Sequence, residues 1–130
     1  MSEGLEARRR DSQVAPGLVC PRCGRGLLVF SGSRTLNFYC KSGHDWSLQN
    51  LLRSPSQYIR VGVGRLREEW RRKALALRNT VTQAQLEGHS DLADAFRREA
   101  TTLEAGIRIL TAGLEKASGD PRHQSAIETT

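Results

Sequence analysis

The sequence predicts a small α+β fold, a short β-hairpin ribbon followed by a long antiparallel α-helical hairpin, from three observations. Two cysteine-bearing clasps, Cys20-Pro-Arg-Cys23-Gly24 and Cys40-Lys-Ser-Gly43-His44, flank a pair of strand-like stretches. Apolar residues then recur in steps of four and three from Ile59 to Ala84, and again from Leu92 to Leu114. Gly88 separates the two runs, and a helix is the structure that places such steps on one face.

Residues 1–15 are polar, charged and aperiodic and end at Pro16-Gly17, so they read as a disordered leader. Residues 16–53 form the ribbon. Leu27-Leu28-Val29-Phe30 and Leu36-Asn37-Phe38-Tyr39 are its strands, joined through the turn-prone Ser31-Gly32-Ser33.

The helical hairpin occupies 54–118. Ser54 supplies an N-cap and Pro55 the first helical position, where a missing N–H costs nothing. The first seam runs Ile59, Val63, Leu66, Trp70, Ala74, Leu77, Val81 and Ala84. Gly88 stops it, and Ser90 and Asp91 open a second helix as cap and first-turn acid. Its seam is Leu92, Phe96, Ala100, Leu103, Ile107, Leu110 and Leu114. A loop as short as Glu87–His89 forces the helices antiparallel, each on the order of 45 Å long. Gly62, Gly64, Gly106 and Gly113 each weaken a helix by about 1 kcal/mol against Ala, unless they serve close approach. Residues 119–130 read as a frayed tail.

Composition bounds the function. The 130 residues are 38% hydrophobic and 5% aromatic with a net charge of +6, too few apolar side chains for a large core. No apolar run approaches the ~18–20 residues of a membrane helix, which predicts a soluble protein. Arg8-Arg9-Arg10 is followed by Asp11-Ser12-Gln13 rather than an apolar stretch, so export is not indicated and a cytoplasmic location is expected.

Three cysteines cannot form a closed disulfide set. Cys20 and Cys23 clasp one side of a metal ion, and Cys40 with His44 supplies a third thiolate and an imidazole. A Cys3His set of this spacing is a structural zinc ribbon, with Zn2+ bound by Cys20, Cys23, Cys40 and His44. The metal also accounts for folding, since about 35 residues with so small a core would not fold unaided.

No catalytic constellation emerges. Four protein ligands leave no open coordination position, His89-Ser90-Asp91 cannot adopt triad geometry as sequence neighbours, and Glu68-Glu69 reads as a salt-bridged helix face. The expected activity is binding. Arg60, Arg67, Arg71 and Arg78 fall within about 20° of one line at 100° per residue, a stripe that either contacts nucleic-acid phosphates or covers the apolar seam. Phe38, Tyr39 and Trp46 either stack on bases or cover the metal. Two half-open helices, with Tyr58, Trp70 and Phe96 at their ridges, favour a protein partner or self-association as the main reading and leave nucleic acid as the alternative.

The ordered motifs resemble an accessory region at the C-terminus of some bacterial chemotaxis-type protein-glutamate methylesterases. The likeness rests on Cys20-Pro-Arg-Cys23-Gly24, on Phe38-Tyr39-Cys40-Lys41-Ser42-Gly43-His44, and on Trp46-Ser47-Leu48-Gln49-Asn50-Leu51-Leu52 before a helical hairpin. It covers about residues 18–116. The resemblance implies the same four metal ligands, Ser47, Leu51 and Leu52 as a connector, and a bacterial signalling setting. The methylesterase catalytic domain has no counterpart in these residues, so the resemblance implies no esterase chemistry.

Overall fold

The computed structural model describes residues 12–31 and 35–118. The expected tail, most of the expected leader, and Gly32-Ser33 of the hairpin turn lie outside the described residues.

Four strands form one antiparallel meander in the order β1 (Gln13–Val19), β2 (Gly26–Ser31), β3 (Leu36–Tyr39) and β4 (Asp45–Ser47). The expected hairpin is β2–β3, paired Leu28↔Tyr39 through Ser31↔Leu36. Alternation does the rest. Leu27, Val29, Leu36 and Phe38 are buried on one face while Leu28, Phe30, Asn37 and Tyr39 stand half-buried on the other.

Strand β1 corrects the end of the expected leader, at Gln13–Ala15. Gln13 and Val14 already pair with Val29 and Leu28, and Ala15 and Leu18 enter the core. The Pro16-Gly17 step that looked like a boundary is an irregularity inside the strand, where the register shifts between Val14 and Val19. An edge strand tolerates a proline and a bulge there because one side of its ladder is unpaired.

A short helix, α1 (Leu48–Leu52), follows β4 directly, its first turn closed by Ser47 Oγ accepting from the Asn50 amide at 3.1 Å. The two long helices are α2 (Gln57–Leu86) and α3 (Ser90–Ser118). Helix α2 begins at Gln57 with Ser56 at the cap position, so Pro55 precedes the helix instead of opening it. Ser54 is used in the preceding turn, where its amide reaches Leu51 O and its hydroxyl takes the Ser56 amide. The loop is 87–89 as expected, with Gly88 at φ +81. The first α3 amide bond runs from Ala93 to His89 O, which gives the cap position to His89 and the first helical position to Ser90.

The antiparallel seam is real, but on α3 it is rotated from the expected line. Leu92 is exposed and Phe96, Ile107 and Leu114 are half-buried, whereas Ala93, Gly106 and Ala117 are buried. Small residues win the centre because the helices approach closely. A Cβ on Gly106 would sit 2.5 Å from Trp70 Cζ3, and one on Gly113 would sit 2.7 Å from Leu48 Cδ2. Gly62 meets Leu18 of β1 in the same way, at 2.7 Å. Three of the four helical glycines are therefore contact points, and Gly64 alone faces open space.

One buried cluster runs from Ala15 and Leu18 through the sheet and α1 to Ile59, Leu66, Trp70, Leu110 and Ala117. The boundary expected at 53/54 thus separates two kinds of element that share a core. A second, smaller cluster of Val81, Ala84 and Ala93, flanked by Phe96, holds the far end of the hairpin.

Candidate metal centre

Both clasps lie at one end of the sheet, in the turns that join β1 to β2 and β3 to β4. Meander topology brings them together because alternate turns fall on the same edge. Each clasp folds alike: the Gly24 amide returns to Cys20 O at 2.8 Å and the Gly43 amide to Cys40 O at 3.0 Å. Both glycines have positive φ, +75 and +93, which side chains rarely adopt, so Gly is required where each turn closes.

The four expected ligands converge. Cys20, Cys23 and Cys40 are free thiols, and all four donor atoms lie within 4.8 Å of one another. Cys20 Sγ and Cys40 Sγ stand 3.5 and 3.4 Å from His44 Nδ1, and Cys23 Sγ stands 3.6 Å from Cys40 Sγ. A tetrahedral ion with bonds of about 2.3 Å to sulfur and 2.0–2.1 Å to nitrogen needs edges of about 3.8 Å between sulfurs and 3.6 Å from sulfur to nitrogen. These separations fit a metal ion coordinated by all four side chains.

Electrostatics point the same way. Burial pushes the Cys20 thiol up, but the amides of Arg22 and Cys23, the Trp46 indole and the Cys23 thiol more than offset it and bring the pKa down to about 6. The Arg25 amide draws Cys23 down, yet burial and the crowding thiols of Cys40 and Cys20 outweigh it and leave that thiol raised. Thiolates so close repel unless a cation lies between them. Trp46 Nε1 donates to Cys20 Sγ at 3.3 Å, so of the two uses foreseen for this ring the one observed is to cover and orient a ligand. Phe38 is fully buried in the core, and Tyr39 bonds Ser12 through its hydroxyl. The backbone donors of Arg22 and Arg25 have no signature beyond the clasp spacing itself.

The arginine stripe is largely engaged inside the molecule. Arg60 Nη2 donates to Ala117 O at 3.2 Å, tying the start of α2 to the end of α3. Arg78 forks onto Glu104, with Nε at 3.1 Å and Nη2 at 2.5 Å, and reaches Thr101 Oγ1. Arg71 pairs with Glu68 on its own helix at 2.7 Å. Arg67 Nε is buried without a hydrogen bond, 3.6 Å from the same carboxylate. Trp70, expected among the surface contacts, is only 3% exposed and packs over Gly106. It belongs to the core because the glycine opposite leaves room for its ring.

No described helix is long and apolar enough to cross a membrane. No protein-family model matches the chain, and searches of curated proteins and of solved structures return no match.

Proposed function

We propose that this chain is a non-catalytic zinc-binding module that acts in the bacterial cytoplasm by holding another protein, in a signalling setting of the chemosensory kind. Three soft thiolates and an imidazole at tetrahedral separations favour Zn2+ over harder ions. The observation that carries the reading is the convergence of Cys20, Cys23, Cys40 and His44, whose four donor atoms lie within 4.8 Å of one another; a metal held by all four has no coordination position left for a substrate. The zinc is then a fold element, and the long hairpin is the working surface. The likeness of both clasps to the methylesterase accessory region supports the signalling setting.

Nucleic acid is the second reading, favoured by exposed Arg22, Arg25 and Lys41 around the two clasps and by the +6 net charge. The test is affinity capture from the native host with metal analysis on the same preparation. One zinc per chain and a protein partner retained at moderate salt are expected. Captured nucleic acid that dissociates steeply with salt would favour the second reading. Full zinc content in Cys40→Ala would refute the ligand set.

A further inference from the structure

Helix α2 carries a second stripe, opposite the buried one. Tyr58, Val61, Arg65, Arg72, Leu75 and Leu86 fall on positions spaced three and four apart over 58–86, and every position of that series is exposed. Tyr58 is 83% exposed, Val61 51%, Leu75 64% and Leu86 78%. Apolar side chains hold positions 58, 61, 75 and 86 of this series, and Arg65, Glu68, Arg72, Asn79 and Thr82 hold the rest, so the stripe is a mixed apolar and basic face that no other described element covers.

The stripe has relief as well as pattern. Val61 and Gly64, with Arg65, Arg67 and Arg72 against Glu68 and Glu69, line an open trough of about 450 Å³, and a Cβ on Gly64 would meet nothing within 4 Å. The missing side chain makes the notch in which a knob from a facing helix seats.

Charge selects the occupant. Helix α2 holds seven basic and two acidic residues, a net of +5 from Gln57 to Leu86. Glu68, on the exposed stripe, is taken by Arg71 and Arg67. Arg65 and Arg72 have no ion-pair partner among the described residues. A second copy of α2 would bring further arginines to this surface, whereas an acidic helix would satisfy the two that stand free.

We infer that the outer face of α2 binds an acidic amphipathic helix, apolar side chains seated on Val61 and Leu75 and carboxylates on Arg65 and Arg72. This rests on the protein-binding reading above and names the class of partner.

The probe is a labelled synthetic helix four heptads long, leucine along one stripe and glutamate beside it, with a lysine twin, titrated by fluorescence anisotropy against the zinc-loaded full chain. The acidic peptide binds, the lysine peptide does not, and raising salt weakens binding. Leu75→Glu lowers affinity at least tenfold with zinc content and thermal unfolding unchanged, and Leu86→Glu serves as a second variant. Arg65→Glu with Arg72→Glu transfers preference to the lysine peptide. Equal binding of both peptides, or an unaltered affinity in Leu75→Glu, overturns the inference. A salt-insensitive dimer abolished by Leu75→Glu also overturns it, leaving the protein-binding reading intact. Captured nucleic acid with no protein overturns both.

Discussion

Steric contact at single residues divides this molecule more sharply than hydrophobicity does. Gly106 and Gly64 are both helical glycines, yet one supports the Trp70 ring and the other faces solvent. Gly106→Ala is expected to destabilise by about 1–3 kcal/mol, because the new methyl overlaps the buried Trp70 indole. Gly64→Ala is expected to stabilise by roughly 0.5–1 kcal/mol through helix propensity alone. Thermal unfolding of the two variants should move in opposite directions. At the metal centre Trp46→Phe keeps the ring and removes the donor to Cys20 Sγ. Metal affinity should fall about 10–100-fold, read by competition with a chromogenic chelator, while the fold persists. The four ligands were legible in the sequence since clasp spacing encodes them locally. The Trp46 bond was half legible, and so was Trp70: its place on the seam followed from period, but its full burial depends on a glycine 36 positions away across the hairpin.

Among the elements, the two helices and the residues of their loop were legible from period and Gly88, but the caps were not: Ser56 and His89 hold the positions that Ser54 and Ser90 were expected to hold, and the α3 face is rotated. Strand β1 escaped notice because its evidence is non-local: Ala15 and Leu18 are apolar only in pairs, and Pro16-Gly17 imitates a stop. Between α2 and α3 the one cross-helix fork is Arg78 on Glu104. The hydrogen bond from Arg78 outweighs burial and holds the Glu104 carboxyl below its ordinary 4.5, and in turn raises the guanidinium. A depressed folded pKa means the pair's contribution is present above 4.5 and is lost as pH falls through the lower folded value. Both side chains are more than a third exposed, so solvent screening keeps the contribution small. Glu104→Gln is expected to lose that small amount at pH 7 and to show a shallower decline in urea stability below 4.5 than the parent.

At the scale of the whole molecule, the shared core joins the two clasps to the helices. Structural zinc contributes roughly 10–16 kcal/mol to folding in small fingers, and here the sheet that carries both clasps also packs on α2 through Leu18 and Gly62. Removing the metal with a chelator should therefore release more than the clasps. Hydrogen exchange is expected to show lost protection across the strands and the first half of α2. The far cluster of Val81, Ala84, Ala93 and Phe96, separate from that core, should change little. Uniform loss along both helices would show that the two clusters unfold as one. Neither the shared core nor its separation from the far cluster was legible beforehand, because periodicity reports which face is buried and not what buries it.

The close contact of Gly62 with Leu18 anchors α2 to the sheet near its start, and some 24 residues of helix run on beyond it to Leu86. That length, packed along α3, is on the order of 36 Å. A tilt of about 5° at the anchor would swing the outer end by roughly 3 Å, more than half a helical turn. The length of the hairpin thus magnifies at its loop end any small change of angle at its sheet end, which makes the packing of Trp70 on Gly106 between the two the contact that fixes where the outer end lies.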